Sequence, residues 1–194
     1  VTIDVIKSII DKGEKSNGYM PTFFHGDHAS TFIAGSWLRG LRDFDLQRAY
    51  NLILKNATVP GKGGRPYLDE YIKRGWIAEK DTVNVPTQDE YKGAVTKTVE
   101  YAYDDYAVAL VAKELGDKEN YDVLIKRANN YKTLFDPGTG FWRGKIEDGS
   151  WIADFDPYYP YYQVLDRHIH FRFRHKDVPA AAVIISCFSI KRIR

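Results

Sequence analysis

At 194 residues, with 44% hydrophobic and 28% charged side chains, the chain has the composition of a globular protein with one sizeable core, which excludes disorder as its default state. Its formal charge of +2 is uneven: residues 164–194 hold seven basic and two acidic side chains, a net +5, which leaves −3 on the rest and argues against a nucleic-acid-binding body. The single cysteine, Cys187, excludes an intramolecular disulfide and a thiolate metal cluster, and no apolar run approaches the roughly 20 residues of a membrane span.

In chain order, residues 1–20 lack a basic region followed by an apolar one, so the sequence reads as an internal fragment whose targeting signal, if any, lies elsewhere. From Ala29 to about Gly40, Phe32, Ile33, Trp37 and Leu41 recur at helical spacing. A second helix is expected over Asp45 to Asn56, with Leu46, Ala49, Tyr50, Ile53 and Leu54 on one stripe and Asp43 as its N-cap. Ala57 to Thr96 breaks every long period and predicts loops around one short helix near Tyr67 to Arg74.

Helical spacing returns at Lys97 to Leu115, where Val99, Ala102, Tyr103, Tyr106, Leu110 and Val111 line a broad face and Gly116 follows as a C-cap candidate. Tyr121 to Leu134 repeats it with Leu124, Ile125, Ala128 and Tyr131, until Asp136-Pro137-Gly138 stops the helix. The segment to Gln163 reads as irregular or hairpin structure. Two helices joined by so few residues form an antiparallel hairpin, and stacked hairpins build toroids or solenoids; the expected fold is therefore all-α.

The most informative stretch is Val95 to Tyr106. Glu100 and Asp104 stand at i and i+4, which puts two like charges on one helix face at a cost in the free helix. One reading is acid catalysis, in which burial and a neighbouring carboxylate keep one carboxyl protonated near neutral pH; the other is that both simply project into water. Asp27 and His28 lie in a Gly-containing loop before a helix, where Asp27 serves either as a cap or in a polar pocket, and the pocket is favoured for His28. The aromatic run Tyr158 to Tyr162 suits either a sugar platform or loop packing.

Residue by residue, Thr98-Val99-Glu100-Tyr101-Ala102-Tyr103-Asp104-Asp105 resembles the signature T-L-E-Y-A-Y-D-D of glycoside hydrolase family 92, with Val99 in place of Leu. Asn17-Gly18-Tyr19-Met20-Pro21 and Gly26-Asp27-His28-Ala29 resemble that family's proline turn and G-D-H-A/S loop, ahead of a helix ending Gly40-Leu41-Arg42-Asp43-Phe44-Asp45. Tyr71 to Ile77 is similar to its E-Y-x-x-x-G-Y-I-P segment, with Trp76 and Ala78 as departures. Arg127 to Tyr131 and Leu134 to Phe141 are similar to its R-x-x-N-Y and L-F-D-P-x-T-G-F runs.

The resemblance implies an exo-acting, inverting α-mannosidase with an (α/α)6 catalytic domain packed on a β-sandwich domain. It puts Glu100 on the general acid; beside it, Asp27 and His28 are read as a charged pair that could orient a substrate hydroxyl, and Asp104 and Asp105 as orienting Glu100 or a neighbouring Arg or Tyr. It also implies a calcium ion holding the terminal mannose, with its ligands mostly outside this chain and none assigned within it, and export to the periplasm or cell surface. The partners implied are α-mannoside glycans and the remainder of the protein's own catalytic and β-sandwich domains.

The motif series stops near Gln163. The family's Y-x-E-x-N-A-W-Q segment, which contributes calcium ligands, and its G-D/N-E/D-D-x-G segment, which contributes the general base, do not follow. Instead His168 to His175 alternates basic and apolar residues before the apolar run Ala180 to Ile185. The expected organisation is a partial catalytic domain over residues 1–163 and an unrelated basic tail over 164–194, read as a frameshift or gene-boundary product or as a basic strand with a role of its own. A chain with the acid but neither base nor metal ligands is expected to be inactive alone, and a non-catalytic helical carbohydrate-binding or scaffold fragment is the alternative.

Overall fold

A computed structural model describes residues 1–22, 26–79, 92–153 and Phe155. The tail, the aromatic run Tyr158 to Tyr162 and the boundary at Gln163 lie outside the described residues. Six α-helices, one 3₁₀ turn and one two-stranded hairpin are found among them, so the chain is mostly helical as expected.

Helix α1 (Thr2–Lys15) is an addition to the sequence reading. Its signal is present: Ile6 and Ile10 stand one turn apart and are buried, with Asp4 in the first turn and Lys12 and Lys15 in the last complementing the helix dipole. The helix stops where Asn17 (φ 55°) and Gly18 (φ 77°) enter the left-handed region and the Gly18 amide returns to the Gly13 carbonyl at 3.0 Å.

Helix α2 (His28–Leu38) and helix α3 (Leu46–Thr58) follow close to the expected positions. The cap of α3 is a correction: Asp45, not Asp43, accepts from the Arg48 amide, at 2.9 Å, while Asp43 pairs with Lys7 across to α1. Arg48 reaches back to Asp11 and Glu14 and ties α3 to α1 on the surface. Helix α4 (Leu68–Arg74) is the short helix expected in the loop region, ended by Gly75 at φ 85°.

Helix α5 (Ala94–Glu114) begins three residues before the expected start and is the central element. It packs against α2, α3 and helix α6 (Lys118–Arg127) and buries side chains all around, from Val95 and Thr98 to Val108 and Ala112. A second correction concerns Tyr121 to Leu134: the α-helix stops at Arg127 and the chain continues as a 3₁₀ turn (Asn130–Leu134), because Ala128 to Asn130 turn the backbone out of the α ladder. Strands β1 (Phe135–Asp136) and β2 (Phe141–Trp142) then pair antiparallel, Phe135 opposite Trp142.

The main core gathers Ile6 and Ile10 of α1, Ile33 of α2, Ile53 of α3, Val108 of α5 and Leu124 of α6. A smaller cluster of Leu68, Tyr71, Ile77, Ala94 and Tyr101 sits between α4 and the first half of α5. No described helix is long and apolar enough to cross a membrane.

Candidate active site

The first half of α5 presents three carboxyl side chains, Glu100, Asp104 and Asp105, to the loop before α2 and the loop before α4. Adjacent helix positions point about 100° apart, so Asp104 and Asp105 look to different neighbours. Asp104, Asp105 and Asp27 are each 0% exposed, and Arg65 is 2% exposed. Burying such groups is unfavourable unless they are paired, so their partners define the site.

Asp105 is the best satisfied. It accepts from Arg65 Nη1 at 2.6 Å, from Arg127 Nε and Nη2 at 2.8 Å each, and from the Tyr71 hydroxyl at 3.2 Å. Arg127 also donates to the Ala57 carbonyl at the end of α3, so one guanidinium joins α3, α5 and α6. Burial opposes the charge of Arg65, but Asp105, Asp27 and Asp104 outweigh it and hold Arg65 above its ordinary pKa.

Asp27 occupies the N-cap position of α2, yet its side chain caps no backbone amide. Its Oδ2 accepts from Ser30 Oγ at 2.7 Å and from Arg65 Nε at 3.2 Å instead, so the structure replaces the capping alternative with membership of a buried ion network. Burial raises the Asp27 pKa against the opposing pull of Arg65. The Asp27 amide donates to Asp104 Oδ2 at 2.7 Å, and burial raises the Asp104 pKa well above the ordinary range, with Arg65 opposing and Asp27 and Glu100 adding to the rise.

Glu100 lies one turn before Asp104, half-buried. Burial raises its pKa, and nearby His28 opposes the rise. His28 itself is exposed at the first position of α2, and its ring packs over Gly26: a Cβ built there would stand 2.7 Å from His28 Cε1 and 3.5 Å from Asp104 Oδ2. Of the five residues singled out in the sequence, Glu100, His28, Asp104 and Asp27 share one neighbourhood. Asp105 joins it through Arg65, which also holds Asp27, and is held from its other side by Arg127 and Tyr71.

Chemically, the arrangement offers a half-buried carboxyl with its pKa raised by burial, on a helix with an exposed imidazole beside it, which suits delivery of a proton to a bound oxygen. A metal role fits poorly. Among the described residues no three His, Cys, Asp or Glu side chains converge to hold an ion, and buried Arg65 and partly buried Arg127 already face the acids.

Sequence reasoning gave no role to Arg65, Tyr71 or Arg127. Arg65 sits in a Gly-rich loop without periodicity, and the only hint of it was that several acids near apolar residues require a buried cation. Glu79 was also missed: it follows α4, accepts from the Ala94 amide at 3.0 Å, and burial pushes its carboxyl up to about 7.

The family model described as the glycosyl hydrolase family 92 catalytic domain matches residues 1–177, past the point at Gln163 where the motif series stops. Among solved structures, a family GH92 α-mannosidase from Bacteroides thetaiotaomicron is 30% identical with a TM-score of 0.69, over 80% of this chain and 21% of that one. A family GH92 inverting mannosidase from the same organism is 27% identical with a TM-score of 0.68, over 78% and 21%. An uncharacterized secreted glycosidase of Arthroderma benhamiae is 29% identical over 143 residues, 69% of this chain and 18% of the relative. The chain thus spans about a fifth of the length of these proteins, and its helices correspond to part of an (α/α)6 toroid.

Proposed function

The chain belongs to glycosyl hydrolase family 92, and from that premise we propose that it is the general-acid segment of an inverting exo-α-mannosidase. The observation that carries this reading is the setting of Glu100: half-buried on α5, its pKa raised by burial, with exposed His28 beside it. Glu100 donates its proton to the glycosidic oxygen as the bond to the leaving group breaks. Inversion requires a second carboxylate that activates water from the opposite face of the sugar, across a gap wide enough for that water. That group and most of the calcium ligands are proposed to lie outside this chain, and a bound calcium would supply contacts to the mannose hydroxyls.

His28 is proposed to contact substrate, and Asp27, Asp104 and Asp105 to hold its surroundings in place. Residues 1–163 are assigned to a partial (α/α)6 domain, completed by further helices and a β-sandwich domain, and residues 164–194 to a basic tail that overlaps the end of the family match. Export to the periplasm or cell surface is proposed from the secreted relative and the kind of substrate.

The test is Glu100→Gln in a complete version of the protein. The change removes the transferable proton at nearly constant shape, so turnover should fall most for mannosides with poor leaving groups and least for activated aryl mannosides. Equal losses on both kinds would show that Glu100 is not the proton donor. The alternative reading is a non-catalytic helical carbohydrate-binding or scaffold fragment. Mannose binding by this chain without turnover, with and without calcium, would support it.

A further inference from the structure

The network contains three buried carboxyl groups, Asp27, Asp104 and Asp105, the buried guanidinium of Arg65 and the partly buried one of Arg127. With every group ionised it would carry one uncompensated negative charge among carboxyls that are themselves closed to water, which favours uptake of a proton. The contacts decide which carboxyl takes it. Asp105 faces both guanidiniums and a tyrosine hydroxyl, and Asp27 receives Arg65 and Ser30, whereas Asp104 receives a single backbone amide. Asp104 Oδ1 is buried with no hydrogen-bond partner among the described residues, and so is Asp27 Oδ1.

We propose that Asp104 carries a proton in the folded protein and is a neutral positioning residue, which ties the Glu100 turn of α5 to the Gly26-Asp27-His28 loop. Its Oδ2 accepts the Asp27 amide, one residue before the imidazole that lies beside Glu100, while the proton on Asp104 removes the charge that would otherwise stand one helical turn from Glu100. The groups facing Asp104 are Arg65 from the loop before α4, Asp27 from the loop before α2, and Glu100 and Tyr101 from α5 itself. Arg65 favours ionisation; Asp27 and Glu100 oppose it. The positioning role rests on the reading of Glu100 as the acid, but the proton itself does not.

The experiment therefore reads the proton directly on the full chain. The infrared carbonyl band of a protonated carboxylic acid should be present at pH 7 and weakened in Asp104→Asn, whose amide reproduces the neutral shape. A group protonated when folded and ionised when unfolded makes stability fall as pH rises, once above the unfolded pKa of about 3.9. The unfolding constant of the unsubstituted chain should thus rise about tenfold more per pH unit than that of Asp104→Asn, until Asp104 itself ionises. Asp104→Asn should also keep the fold far better than Asp105→Asn. An unchanged infrared band, parallel pH slopes, or an Asp104→Asn chain that fails to fold would each overturn the proposal. None of these readouts depends on mannoside turnover, so failure of the Glu100 assignment is distinguishable from failure here.

Discussion

Arg127 meets Asp105 with two nitrogens at once, Nε at 2.8 Å from Oδ2 and Nη2 at 2.8 Å from Oδ1, and the same carboxylate holds buried Arg65 from another side. The geometry is a planar fork on a carboxylate, which a lysine cannot reproduce. Asp105→Asn would leave two guanidiniums facing a neutral amide, and breaking a buried pair in this way costs about 3–5 kcal/mol. The expected result in urea unfolding is a large fall in midpoint for Asp105→Asn and a smaller, still clear one for Arg127→Lys. A shift of a few tenths of a kcal/mol for Asp105→Asn would mean that the network contributes little.

Tyr19 lies across the loop that carries Arg65. A Cβ at Gly64 would stand 2.8 Å from Tyr19 Cε1 and 2.9 Å from Cδ1, and the ring is buried. Gly64→Ala is expected to cost about 1–3 kcal/mol through overpacking. Gly40→Ala is its control: nothing lies within 4 Å, so only the φ of 89° is strained, at roughly 1 kcal/mol. Thermal unfolding of the two variants checks the order, and equal losses would contradict it.

Glu79 supplies a pH prediction. Its folded pKa of about 7 exceeds the unfolded value of about 4.3, so folding takes up a proton between these values. Stability from this group is fully present below the unfolded pKa and is lost as pH rises toward 7. Glu79→Gln should flatten the fall in stability across that window, as measured by unfolding midpoints at successive pH values. An unchanged profile would show that Glu79 titrates at its ordinary value.

Asp117 caps α6 through the Asn120 amide at 3.1 Å and also accepts the Tyr50 hydroxyl at 2.9 Å, joining α3 to the start of α6. Asp117→Ala is expected to cost about 0.5–2 kcal/mol for the cap and about 0.5–1.5 kcal/mol more for the hydrogen bond. Tyr50→Phe should show only the second loss. A double variant no worse than Asp117→Ala would confirm that both act through one carboxylate.

The helices were legible where apolar residues recur over long spans: α2, α3 and α5 lie within three residues of their expected starts. Helix α1 is legible in the spacing of Ile6 and Ile10, which stand one turn apart and are both buried. The break after Arg127 was hidden because Ala128 and Tyr131 continue the helical spacing while the backbone does not. At the site, Glu100 and Asp104 were visible as a pair because they share one helix. The Asp27 to Asp104 contact spans 77 positions and Arg65 to Asp105 spans 40, and no local pattern encodes such distances.

Those separations also bear on the order in which the molecule assembles. Helices α5 and α6 are joined by three residues and make the most extensive helix pairing among the described residues, so closing that hairpin loses little chain entropy. The ion network exists only after stretches around residues 27, 65, 105 and 127 have all arrived, which places it late on the way to the native state. Substitutions within it should then act chiefly by hastening unfolding, leaving refolding rates nearly unchanged. The same charges that hold the site together when folded would set its lifetime rather than its speed of formation.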